Sequence, residues 1–271
     1  MSIKSMPVWK WSLLLLAAFA LALLIYGLSQ AAADAVSQPW LKWVVTVAAA
    51  VAMIGLYASF VKWFEKHPAR DLPPARLLSD TGKGFLVGML FFVAVVALMW
   101  VFGLYKVTGT GTDAPSAIVS AFLTFLMVGV GEEILFRGVL FRWIDEKWGF
   151  VAALVVSSLL FGLMHIAQPG ATWWSSLAIA VEAGLLLGAV YKWSGSLWLP
   201  VGIHWSWNFF QGNVFGFAVS GGDAGVSLLQ AETVGPDILT GGPFGAEASI
   251  ITVILGLALS LWFLVRIVRQ R

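Results

Sequence analysis

Apolar residues run along this chain in eight long blocks separated by shorter polar breaks. Most blocks reach or approach about 20 residues, the length a helix needs to cross the roughly 30 Å hydrocarbon core of a bilayer. They predict helices near 9–31, 40–64, 85–104, 116–142, 150–167, 173–192, 197–220 and 246–268. No strand pattern competes, and there is no internal repeat or disordered low-complexity tail. The longest polar stretch is 62–83, and the longest loop, 221–245, is rich in glycine and acidic residues. The fold class predicted is all-α: a polytopic membrane protein, a bundle of about eight transmembrane helices forming a single integral membrane domain, 1–271.

Composition sharpens this picture. The chain is 60% hydrophobic and 11% charged, with mean hydropathy +0.90. Soluble domains carry roughly 25% charged residues, so lipid is the solvent for most of this surface. Tryptophans at block ends (Trp9, Trp40, Trp173, Trp198) fit a membrane-interface belt. There is no cysteine, which excludes disulfides, thiol chemistry and cysteine metal sites. The net charge of +2 singles out no partner, and nothing points to nucleic acid. The stretch "LSQAAADAVS" after the first block resembles a signal-peptide cleavage site. That block is long for a signal sequence, so an uncleaved first helix is expected; its loss would leave the remaining reading untouched.

Basic residues orient the bundle. With the N-terminus in the cytoplasm, the inner side receives thirteen: Lys4, Lys10, Lys62, Lys66, Arg70, Arg76, Lys83, Arg142, Lys147, Lys192, Arg266, Arg269 and Arg271. The outer side receives two, Lys42 and Lys106, and Arg137 is left inside the membrane. Both termini are therefore expected in the cytoplasm. The compactness of the chain suggests a bacterial plasma (inner) membrane.

The segment "VGVGEEILFRGVL" sets two glutamates and an arginine in the fourth block. A charge at mid-membrane costs about 3 kcal/mol on insertion scales, so such residues are paired or used. Glu133 and Arg137 stand at i, i+4 and can pair, while Glu132 points about 100° away and is left to face a polar cavity. Of the three histidines, His67 falls in a polar stretch and reads as a solvated surface residue. His165 and His204 fall in apolar blocks. Glu133 lies as far before the turn at Gly149 as His165 lies after it, so an antiparallel hairpin sets them at similar depth. Around the next turn, near Ser194 and Gly195, Glu182 and Asn208 are similarly matched. His204 and Asn208 share a face, as do Phe161 and His165. Two glutamates, two histidines and an asparagine thus converge at one level. Each alone reads as well as interhelical glue; the set does not. For Glu182, beside the small-residue run from Gly184 to Gly188, the structural reading is favoured.

Three motifs now stand in order: EExxxR (Glu132 to Arg137), FxxxH (Phe161 to His165) and HxxxN (His204 to Asn208). In this arrangement the chain resembles the CPBP (ABI) family, which comprises the type II CaaX prenyl endopeptidases and their bacterial relatives. The resemblance covers about 116–210 and defines a motif-bearing core of about 116–220. It implies an intramembrane endopeptidase in which Glu132 activates water, His165 assists, and His204 with Asn208 stabilises the oxyanion. Glu133, Arg137, Glu182 and Phe161 are then supporting residues. The chemistry agrees: peptide hydrolysis needs a base for water and donors aimed at the developing oxyanion. There is no HExxH and no serine in a nucleophile-elbow context.

No cofactor is required on this reading. A zinc ion is the alternative, since Glu132 or Glu133 with His165 and His204 is a ligand set of some catalytic zinc sites, making a metalloprotease. The substrate implied is a membrane-associated or lipidated protein or peptide in the bilayer. The rival readings are a non-catalytic bacteriocin-immunity or scaffold protein on the same fold, and a proton-coupled transporter, since intramembrane Glu, His and Arg also build proton relays. The ordered motifs and the absence of a clear inverted repeat favour the endopeptidase.

Overall fold

The computed structural model describes residues 3–112, 114–223 and 225–270. Among them, seven helices are long and apolar enough to cross a membrane. These are α1 Val8–Asp34, α2 Pro39–Glu65, α3 Pro74–Val101, α4 Pro115–Trp148, α5 Phe150–Ala167, α6 Trp173–Ser194 and α8 Ile250–Arg269. The remaining expected helix, α7, runs Trp198–Phe209 and closes with one wider turn, Phe210–Val214. It stops short of the expected 220 because Gly216 turns the chain at φ 75° and the Phe217 N–H folds back onto Gln211 O at 3.0 Å. α3 starts earlier than expected, since its polar first turns are helical too. Prolines pre-set their φ, and Arg76 pairs with Asp80 at 2.8 Å.

α7 is the axis of the bundle. Every residue of Trp198–Phe209 except Trp205 is buried. α3 approaches it through glycine: a Cβ at Gly84 would fall 2.2 Å from Leu199 O, so no other residue allows this spacing without a shift. α4 flanks α7 on another side, and Trp205 Nε1 donates to Phe122 O across that contact at 2.8 Å. α1 is the opposite case. Only Trp11, Leu15 and Ala33 along its length are buried, so it presents nearly all of its apolar side chains outward, as a lipid-facing helix does.

Contacts bring both described ends to one face. Lys147 Nζ donates to Met6 O at 2.5 Å, Lys192 Nζ to Asp145 at 2.6 Å, and Trp193 packs on Phe263 at 5.2 Å. Arg271, counted above with the inner basic residues, lies outside the described residues.

Three expectations are corrected on the opposite face and in the belt. A two-stranded antiparallel ladder forms where no strand was foreseen: β1 Tyr105–Thr110 pairs with β2 Leu229–Thr233, with a register shift between Val107 and Gly109. Short strands outside the helices can leave their edges to water, which a lipid-embedded sheet cannot. The 221–245 loop is not simply peripheral. After the short helix Asp237–Thr240 the chain turns inward through Gly242–Phe244 and Ala246–Ala248, and Phe244, Ala246, Glu247 and Ser249 are buried. α8 therefore begins at Ile250, where Ser249 Oγ caps it by accepting from the Ile251 N–H at 3.1 Å. Among the belt tryptophans, Trp9, Trp40 and Trp173 are exposed, but Trp198 is buried and donates to Pro73 O at 3.1 Å.

Candidate active site

Each helix that carries a motif or acid of the site deviates from regular α geometry beside it. α4 runs as a π-helix over Ile134–Phe141, α6 over Ala180–Gly184, and α7 over Phe210–Val214; α5 ends in a 3₁₀ turn at His165–Ala167. Such turns re-aim side chains and free backbone groups that need partners. In α4 the Gly138 carbonyl receives Tyr57 Oη at 3.0 Å and Arg142 Nε at 2.8 Å. Arg142 is clamped in turn by Glu65, at 2.5 and 2.6 Å, and Tyr57 and Tyr191 both donate to Asp71, at 2.6 and 3.0 Å. His67, expected to be free in solvent, stands 3.2 Å from Glu65.

One turn toward the centre of α4, Glu133 and Arg137 are both fully buried and paired at 2.9 Å, as their spacing predicts. Arg137 also donates to the carbonyls of Gly184 at 3.2 Å and Ala183 at 3.4 Å, and its guanidinium lies 4.8 Å from the centre of the Phe161 ring. The pair is thus hydrogen-bonded, stacked and locked to α6, the conditions under which a buried ion pair is tolerated. Glu133 Oε1 accepts a second bond, from His204 Nδ1 at 2.9 Å. That bond turns the other ring nitrogen, Nε2, toward Glu132, whose Oε2 is 3.8 Å away.

Glu132 has a partner the motifs do not announce. Tyr26 Oη of α1 donates to Glu132 Oε1 at 3.2 Å, and Gln30 Nε2 donates to Tyr26 Oη at 3.0 Å. The Tyr26 ring lies on Gly131, where a Cβ would come within 2.4 Å of it. Loss of α1 would strip this contact from Glu132, so the expectation that cleavage after the first helix changes nothing is corrected.

His165, His204, Asn208 and Glu182 line one small cavity, together with Phe161 and two residues from the opposite face, Ser220 and Glu247. His165 Nδ1 is anchored on Phe161 O at 2.7 Å, leaving Nε2 as its free nitrogen. Glu132 does not line this cavity. Among the described residues it meets the group through His204, whose Nε2 is 3.8 Å from its Oε2. Glu182 was expected to act as structural glue, yet neither of its carboxyl oxygens has a hydrogen-bond partner among the described residues. Glu247 was not singled out from sequence at all; buried polar burial in a glycine-rich loop carries no periodic signal.

Among the described residues, no three His, Asp or Glu side chains gather closely enough to share an ion. Glu132, Glu133, His165 and His204 as arranged do not fit a zinc centre, and no step below passes through a metal.

Comparison with known proteins follows the same residues. Residues 114–210 match the family described as Type II CAAX prenyl endopeptidase Rce1-like. A Bacillus subtilis (strain 168) protein, described as the uncharacterized protein YpbD, is 34% identical over 83 residues, which is 31% of this chain and 38% of that protein. The aligned part therefore spans little more than a third of that relative. No solved structure matches. The matched segment contains EExxxR, FxxxH and HxxxN whole, and over these residues the chain is similar to that family.

Proposed function

We propose that the protein is an intramembrane endopeptidase that hydrolyses a peptide bond of a membrane-associated or lipidated substrate with a water activated by Glu132. The observation that carries this is the division of labour around His204. Its Nδ1 is held by the buried Glu133–Arg137 pair, and its Nε2 is left toward Glu132 and the cavity. Glu132 Oε1 is occupied by Tyr26, so Oε2 is the oxygen that accepts the water's proton. The water oxygen then attacks the carbonyl carbon. His165 orients the water through its free Nε2, and Asn208 donates to the oxyanion as it forms, joined by His204 once its Nε2 as well as its Nδ1 carries a proton, in a site from which bulk water is excluded. Glu133 and Arg137 touch no reacting atom; they fix the tautomer and angle of His204.

The substrate class is supported by an apolar groove of about 290 Å³ between α1, α2 and α4. Leu21, Ile25, Met53, Phe60 and Ile134 line it, and it ends at Gly131, next to Glu132. A lipid chain seated there would lie beside the base. The preference of basic residues for the face carrying both described ends supports a cytoplasmic position for that face in a bacterial plasma membrane.

The test is cleavage of a farnesylated CaaX peptide by the purified protein in detergent, with and without a chelator. Cleavage unchanged by the chelator is expected. Loss of cleavage on chelation, restored by zinc, would overturn the glutamate–water mechanism. No cleavage by the wild type would remove prenylated peptides as the substrate.

A further inference from the structure

The cavity holds more acid than the mechanism above uses. Glu182 sits in the π turn of α6, fully buried, with both carboxyl oxygens unpartnered. On its other side Gly256 of α8 packs so closely that a Cβ there would come within 2.8 Å of Glu182 Cβ. The carboxyl has only the cavity to face. Glu247 reaches the same cavity from the inward-turned segment before α8, is 3% exposed, and accepts the Ser220 N–H on Oε1. The free space is about 20 Å³, enough for a single water with polar partners on several sides.

Two carboxyls in one small dry cavity cannot both ionise, since each charge raises the cost of the other. Burial pushes the Glu247 carboxyl up to about 7, against the opposing pull of the Ser220 and Gln211 hydrogen bonds and of His204. The charges around the pair offer no full compensation. From α4, Arg137 is committed to Glu133 and to the Ala183 and Gly184 carbonyls. From α5 and α7 the pair meets His165 and His204; α8 presents Gly256.

Resting on the endopeptidase reading, we propose that Glu182 and Glu247 share one proton, hold a water in this cavity, and supply that proton to the leaving nitrogen. The balance is complete within the chain. In the first half, the water's oxygen bonds to the carbonyl carbon while its proton goes to Glu132. In the second, the C–N bond breaks, its electron pair goes to nitrogen, and nitrogen takes the proton held by the pair. The proton on Glu132 then passes through His204 and the cavity water to the pair. The products leave as acid and amine, and both carboxyl sites are reset. The arrangement separates base from acid: the pair lines the cavity and Glu132 does not.

The test joins infrared difference spectroscopy of the full chain in lipid nanodiscs to the farnesylated-peptide assay, on wild type, Glu182→Gln and Glu247→Gln. The wild type should show a protonated-carboxyl band at pH 7 that either substitution removes or shifts. In Glu182→Gln, kcat should fall at least tenfold with KM unchanged. If Glu182→Gln does not fold, Glu247→Gln carries both readouts. A wild type without that band, or a band untouched by both substitutions, overturns the shared proton. Undiminished kcat in a folded variant overturns its transfer to nitrogen. A wild type that cleaves none of this peptide removes prenylated peptides as the substrate, while the infrared band still decides the shared proton.

Discussion

Two clusters of charge lie within this bundle, and they are built by opposite rules. Near the face that carries both described ends, Arg142 is clamped by both oxygens of Glu65, and Asp71 accepts from Tyr57 and Tyr191. Nearly every polar atom there has a partner, and the cluster ties α2, α4 and α6 together around the Gly138 carbonyl. Around His204 the supply of partners thins out. Glu133 is paired, Glu132 has one donor at 3.2 Å, and Glu182 has none. Charges that hold a fold are satisfied; charges kept for chemistry retain free lone pairs, and the fold bears the cost. The Glu133–Arg137 pair stands at the border: its members are bonded to each other, Glu133 Oε2 and Arg137 Nε have no partner among the described residues, and the pair serves the unsatisfied side through His204.

The border pair gives the largest expected effect on stability. Arg137→Met leaves Glu133 as a buried charge without its counter-ion, which should cost about 3–5 kcal/mol. A melting curve in detergent checks this, and a drop no greater than that of a surface substitution would remove the pair from the framework. On the chemical side, His204→Ala should lower cleavage of the farnesylated peptide roughly 10²- to 10³-fold, as loss of an oxyanion donor does. Steady-state kinetics should show the loss in kcat; a loss confined to KM would make His204 a binding residue only. Next comes the contact missing from the motifs. Tyr26→Phe removes one hydrogen bond to the Glu132 carboxyl group and should cost about tenfold in kcat, with folding intact.

The smallest effect is a pH slope. Glu247 carries a folded-state pKa of about 7 against an ordinary 4.5, so between those values the folded protein binds more protons than the unfolded. The stability this group contributes is present below about pH 4.5 and is lost as pH rises through 7. The melting temperature of the wild type should therefore fall more steeply from pH 5 to 8 than that of Glu247→Gln. Parallel curves would mean that Glu247 titrates in the folded protein as it does unfolded.

The sequence revealed the charged half of the site because charge inside an apolar block is costly enough to stand out. Glu132, Glu133, Arg137, His165 and His204 were visible for that reason, and helical spacing paired Glu133 with Arg137 correctly. Spacing was less informative where the backbone left α geometry. The π turns beside Glu133 and around Glu182 add a residue to the turn, so faces counted at i, i+4 drift. Glu132 was expected in the same cavity as His165, yet it does not line that cavity. Tyr26 was invisible because a tyrosine in a lipid-facing helix is ordinary, and its partner stands 106 residues away. Glu247 was hidden by its setting, since an acid in a glycine-rich loop reads as solvated until the loop is seen to turn inward. The short strands and the early end of α7 were lost for a related reason: local turn chemistry at Gly216 and in 221–249 decides them, and hydropathy averages over it.

The central claim, that unsatisfied charge marks the chemistry and satisfied charge marks the framework, is tested most directly by two isosteric substitutions read side by side. Melting temperature and farnesylated-peptide cleavage would be measured for Glu132→Gln and Glu65→Gln against the wild type. The account predicts that Glu132→Gln melts with the wild type yet loses cleavage by about 10²- to 10⁴-fold, the scale of a general base. It predicts that Glu65→Gln melts earlier while its folded fraction retains most of its kcat. Glu132→Gln that cleaves at the wild-type rate, or Glu65→Gln that melts with the wild type but fails to cleave, would contradict it.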